Sequence, residues 1–214
     1  MEKGKKRITL AGTAQTELEE KHSRFIGFAA PVQSEKEAQE IIAGRRAQHR
    51  DATHNVWAYY IDQGVHARYS DDGEPQGTAG IPVLNVLKMS GATDLCVVVT
   101  RYFGGTLLGA GGLVRAYSAA AKQALDAAGF ASMEAFSVLQ IHCGYSEYQK
   151  LSVQLAAVGA VQDSAVFGSD VEIVVAVEEA RSCIVEKLVQ EISAGRGNVV
   201  RMGVEERRSR TADA

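Results

Sequence analysis

Arg101 to Ala121 reads RYFGGTLLGAGGLVRAYSAAA, with five glycines between Gly104 and Gly112, a cation at Arg115, and Arg101, Tyr102 and Phe103 at the near lip. Glycines that lead into a helix N-terminus bare backbone N–H groups at the positive end of the dipole, which suits an anion. Arg115 in the first turns opposes that dipole by about 0.3–1 kcal/mol unless an anion or a carboxylate offsets it. A cation beside two aromatics suits stacking on bases or on a protein partner. The competing reading is that the glycines allow tight strand-to-helix packing while Arg101 pairs with an acid such as Asp71 or Asp72. Neither nucleotide fingerprint is spelled out. Ala110 follows the glycine that would precede the P-loop lysine, and Val114 stands where the last glycine of G-x-G-x-x-G would be.

DDGEPQGTAG is the second segment with chemical content. Asp71, Asp72 and Glu74 put three carboxylates in four residues, with His54 and His66 nearby, the composition of a hard-cation or hydrolytic site. The same letters spell a turn, in which Asp tolerates the required dihedrals and Gly73 supplies positive φ. No spacing matches a known metal loop, and neither G-x-S-x-G nor H-E-x-x-H occurs. His22, His49, His54, His66 and His142 are isolated and read as surface or structural residues. Cys96, Cys143 and Cys183 each lie in an apolar segment and read as buried free thiols. No catalytic residue, metal ligand or cofactor is therefore expected. Arg45, Arg46, His49 and Arg50 make a basic cluster that suits either a helix C-terminus or a phosphate backbone.

The elements that must position these residues follow from periodicity. ITLAGTAQTELEE and RFIGFAAPV read as two strands, the second ending at Pro31 at an edge or exit position. SEKE opens a helix with a capping box, Ser34 at the N-cap and Glu37 three residues on, and Ala38, Ile41 and Ile42 form its buried stripe. HNVWAYYI and VHARYS read as strands, IPVLNVLKM as a short helix, and DLCVVVTR as a strand covered on both faces. Leu113, Val114, Tyr117, Ala120, Ala121, Ala124, Leu125 and Ala128 trace an amphipathic helix that ends near Gly129. From Phe136 the order is strand, helix SEYQKLSVQLAAV, strand VQDSAVF, strand VEIVVAV, helix EEARSCIVEKLVQEIS and strand NVVRM. That is the β-α-β-β-α-β pattern of a ferredoxin-like domain. The expected division is 1–133, 134–206, and a frayed tail at 207–214.

With 214 residues the chain can bury a sizeable core, and a net charge of −3 points to no global attraction for nucleic acid. The charge is unevenly shared: residues 1–133 carry 15 Lys and Arg against 14 Asp and Glu, and the rest 8 against 12. A polyanion would meet the first part more readily. The basic start MEKGKKRITL lacks the apolar segment of a secretory signal, and no run approaches the ~18 apolar residues of a membrane span. A soluble, cytoplasmic protein without membrane partners is expected.

The blocks SRFIGFAAPV, HNVWAYYI, RYSDDGEPQGTAGIPVLNVL and VVVTRYFGGTLLGAGGLVRAYSAAA closely resemble the bacterial YigZ branch of the Impact family, over roughly residues 20–125. The resemblance implies an α+β fold of two domains. The first is ribosomal protein S5 domain 2-like, a sheet with helices on one face, and the second resembles the last domain of elongation factor G. Eukaryotic Impact proteins regulate translation largely through an N-terminal RWD domain that this sequence lacks, so their kinase-pathway role is not carried over. The expectation is a non-enzymatic regulator or accessory factor of translation that binds RNA, the ribosome or a ribosome-associated protein. Its expected surface comprises Arg68, Ser70, Asp71, Asp72, Glu74, Gln76, Arg101, Tyr102, Phe103, Gly104, Gly105 and Arg115. The alternative is an enzyme or binder acting on a nucleotide or phosphorylated small molecule at the Gly-rich loop, though GTLLGAGGLVRA lacks the paired serines of the small-molecule kinases that share this fold. A pure protein-interaction module is a third reading.

Overall fold

The computed structural model describes residues 7–208. The basic start at 1–6 and the tail from 209 lie outside the described residues. The chain divides near Ser132–Met133 into two compact units, with Arg208 counted with the first.

The first unit contains β1 (Arg7–Leu10), β2 (Ala14–Glu20), β3 (Ser23–Pro31), α1 (Glu35–Gln48), β4 (His54–Ile61), β5 (His66–Ser70), α2 (Gly80–Met89), β6 (Leu95–Tyr102) and α3 (Ala110–Ala128). Its antiparallel sheet has the order β2-β3-β6-β4-β5. The uninterrupted apolar run of β6 explains why two layers form on it. Leu95, Val97 and Val99 join the core that contains α2 and α3, while Cys96 and Val98 join a second cluster with Ala38 and Ile42 of α1. Successive strand residues point to opposite faces, and each buried Val or Leu contributes about 1.5–3 kcal/mol. The helices therefore occupy both faces, which corrects the one-faced arrangement implied by the resemblance and agrees with the two-sided burial read from DLCVVVTR.

Local chemistry sets the remaining boundaries. ITLAGTAQTELEE forms two strands rather than one, because the N–H groups of Ala11 and Gly12 turn away to the carbonyls of Gly129 and Ala128. Pro31 ends β3 as an exit residue, and β3 itself lies inside the sheet between β2 and β6. Ser34 Oγ accepts from Glu37 N as expected of an N-cap, but the Glu37 carboxylate reaches Gln33 N instead of closing the box on Ser34. Gly129 ends α3 with φ +66°, a value glycine adopts freely.

The second unit holds β7 (Phe130–Cys143), which begins within the first, then α4 (Tyr145–Ala157), β8 (Val161–Phe167), β9 (Val171–Glu178), α5 (Ser182–Ile192) and β10 (Asn198–Arg208). β7 pairs with β9, β9 with β8, and β10 with β7, which is the ferredoxin-like pattern. One core gathers Leu139, Ile141, Leu151, Leu155, Val185 and Val189. Residues 207 and 208, expected to fray, complete β10, and Arg207 makes a two-pronged pair with Asp163 at 2.8 and 2.5 Å. Cys96 and Cys143 are buried, but Cys183 is exposed because it lies off the Val185, Val189 stripe of α5. Among the described residues no helix is long and apolar enough to cross a membrane.

Candidate functional site

The turn between β5 and α2 divides its three carboxylates among three helices. Asp71 accepts from Gly77 N at 2.9 Å, Ala79 N at 3.1 Å and Gly80 N at 2.7 Å, supplying the cap that Ala79, at the N-cap of α2, cannot. Asp72, at φ +44°, accepts from Arg46 of α1 at 2.5 Å and from Asn55 N at 2.6 Å. Glu74 is buried and accepts from Arg101 at 2.6 Å and from the Tyr117 hydroxyl of α3 at 2.7 Å. His54 donates from Nδ1 to the Asp72 carbonyl at 2.8 Å and turns Nε2 toward Glu74 at 3.7 Å. Burial and the adjacent Glu74 carboxylate push the Tyr117 phenol well above its usual value, so it remains a donor.

Of the two alternatives for Arg101, an internal acid or an external anion, the structure realises the first, with Glu74 rather than Asp71 or Asp72 as the partner. Arg101 is 5% exposed and also donates to Ser23 Oγ at 3.2 Å, the same oxygen that accepts from Gly104 N. Its guanidinium carbon lies 5.4 Å from the Phe25 ring centroid and 5.5 Å from that of Phe103. The three acids are thus held by protein groups, and among the described residues no group of three His, Cys, Asp or Glu could hold a metal ion.

The Gly-rich corner is more open. Phe103 N donates to Thr53 Oγ1 at 3.0 Å, and Gly104 is so close to the His22–Ser23 backbone that a Cβ would lie 2.0 Å from the His22 carbonyl. Gly105 and Gly109 have φ of +82° and +72°, conformations that favour glycine. Gly109 caps α3 with no side chain, and among the described residues the N–H groups of Ala110, Gly111 and Gly112 find no acceptor. Arg115 is exposed and, among the described residues, makes no hydrogen bond or ion pair. Its Nη1 lies 3.8 Å from where a Gly111 Cβ would stand, so the cation leans over the first turn of the helix.

The structure separates two residues from the expected surface. Tyr102 follows Arg101 on the strand and faces the α1 side, where it bonds His49 and Asp51 beneath the Arg24 guanidinium. Arg68, on edge strand β5, stands opposite Tyr59 on that same side and donates to the Ala67 carbonyl. Ser70 Oγ accepts from Asp72 N, and Gln76 is exposed. Ser23 and Tyr117 were not anticipated as members of the cluster. A hydroxyl in the middle of the Leu113, Tyr117, Ala121 stripe was the available sign, since a buried phenol needs a partner.

The α1 side carries a titratable relay. Arg45 can only donate, so His49 Nε2 accepts from it at 3.0 Å, and Nδ1 carries the proton that it donates to Tyr102 Oη at 2.9 Å. The Tyr102 hydroxyl donates onward to Asp51 at 3.2 Å. Burial and then Arg45 hold the imidazole below its ordinary value, with Arg24 adding to the effect and Asp51 opposing it. A histidine with a lowered native pKa contributes stability that is intact above about 6.5 and lost as pH falls toward the native value. Urea unfolding should therefore show stability declining from pH 7 to 5, with a shallower decline in His49→Gln. Equal slopes would refute the relay. Glu35, lowered chiefly by its hydrogen bond from Tyr59, acts only from about 4.5 downward and leaves that interval clear.

Residues 21–125 match the family model described as the Impact N-terminal domain, and residues 141–196 match a domain of unknown function, DUF1949. The chain is 35% identical over 193 residues to the IMPACT family member YvyE of Bacillus subtilis (strain 168), covering 90% of itself and 89% of that protein. With the IMPACT family member YigZ of Escherichia coli (strain K12) it shares 44% identity over 108 residues, 49% of this chain and 53% of the relative. With the Protein IMPACT homolog of Dictyostelium discoideum the identity is 38% over 95 residues, which is 42% of this chain and 27% of that one. A crystal structure described as that of an hypothetical protein matches 92% of this chain and 97% of its own, at 30% identity and a TM-score of 0.59.

Proposed function

The chain belongs to the IMPACT family, and from that premise we propose that its first unit binds RNA through the Gly-rich corner, as a non-enzymatic, cytoplasmic accessory factor of translation. The observation that carries this reading is Arg115, a cation that among the described residues makes no hydrogen bond or ion pair and lies beside Gly111, in the first turn of a helix whose opening three N–H groups, among those residues, also lack acceptors. Cation and dipole end repel each other, and a phosphate placed between them would satisfy both. Arg101, buried against Glu74, supports the corner from below. Phosphate contacts of this kind supply affinity without sequence preference.

Fluorescence anisotropy with labelled RNA, repeated across salt concentrations, tests the reading. Arg115→Gln should weaken binding about tenfold at low salt and reduce the slope of log affinity against log salt by about one. Unchanged affinity and slope would remove Arg115 from the interface. Full competition by a mononucleotide would transfer the site to a nucleotide or phosphorylated small molecule.

A further inference from the structure

The backbone that carries Phe103 is fixed at two successive residues. The Phe103 N–H is tied to Thr53, the next N–H to Ser23, and Gly104 is pressed onto the His22–Ser23 backbone. The guanidinium 5.5 Å from the Phe103 ring centroid belongs to Arg101, itself fixed by Glu74 and Ser23. Yet Phe103 is 46% exposed, so the ring presents apolar surface to solvent from a rigid seat. Leu107 and Val114, farther along the same Gly-rich segment, are also exposed.

On the reading that this corner binds RNA, we infer that Phe103 is a stacking platform for an unpaired nucleobase, which makes the site selective for single-stranded over duplex RNA. A fixed cation beside the ring interacts with its π-system, and a base laid on the exposed ring would extend that stack from a backbone already in place. Bases inside a duplex already have both faces covered by their neighbours, whereas unpaired bases can be splayed onto an aromatic ring. Arg115 would meanwhile meet a phosphate of the same strand. Base and backbone are thus read by different residues.

The test compares a 12-nucleotide strand, its duplex, and the same strand with abasic sites, using the full chain and its Phe103→Leu and Phe103→Tyr variants. Wild type should bind the single strand more tightly than the duplex. Phe103→Leu keeps bulk and apolarity and should bind the single strand about 5- to 100-fold more weakly, with the salt slope unchanged. Its affinity for the duplex and the abasic strand should not change, and Phe103→Tyr should bind like wild type. Equal affinity of wild type for strand and duplex, or an equal loss on base-bearing and abasic strands, would overturn the inference and leave RNA binding standing. Failure of wild type to bind either RNA would overturn both.

Discussion

Replacing Arg101 by methionine should lower the unfolding free energy of the first unit by about 3–5 kcal/mol. The cost does not measure the worth of the ion pair. It arises because Glu74, buried and still facing Tyr117 and His54, would keep a carboxylate with no cation in hydrogen-bond contact. Combining Arg101→Met with Glu74→Leu should recover a substantial part of the loss, since buried pairs replaced together by apolar side chains are often near neutral. Urea unfolding followed through Trp57, the single tryptophan and a residue of the first unit, would read both variants. A single-variant loss below about 1 kcal/mol would mean that water replaces the missing cation.

Gly27→Ala should also destabilise, by about 1–3 kcal/mol. Exchanging glycine for alanine in a strand would normally gain about 0.5–1 kcal/mol, so the sign of the result is decisive. Here the added Cβ would meet the Ala120 carbonyl oxygen at 2.5 Å and Ala124 Cβ at 3.2 Å. The obstacle is helix backbone, which cannot rotate aside, so α3 must lift from β3. Alanines 116, 120, 121 and 124 on the same helix face are what allow that close approach. Denaturant midpoints of the variant and wild type would decide it, and a rise in the variant's midpoint would show that the helix yields without cost.

Much of the scaffold was legible in the sequence because it rests on local signals. The periodicity of Leu113 to Ala128, the cap at Ser34, the turn glycines and the alternation of elements after Phe136 all act over a few residues. The unbroken Leu95–Val99 run even indicated two covered faces, where the family resemblance suggested one. The wiring of the site was not legible, because its partners lie far apart in the chain: Arg46 and Asp72 are 26 residues apart, Arg101 and Glu74 27, and Tyr117 and Glu74 43. Three neighbouring acids announce a cluster, but which helix each one anchors depends on tertiary packing. The pleat likewise separates Arg101 from Tyr102, although the two are neighbours in sequence.

That separation has a mechanical consequence. The last two side chains of β6 are bolted into opposite layers, Arg101 to Glu74 beneath α3 and Tyr102 to His49 beside α1. A pull on Phe103 is therefore borne by both layers at once, and the strand end cannot swivel about its own axis without breaking one of them.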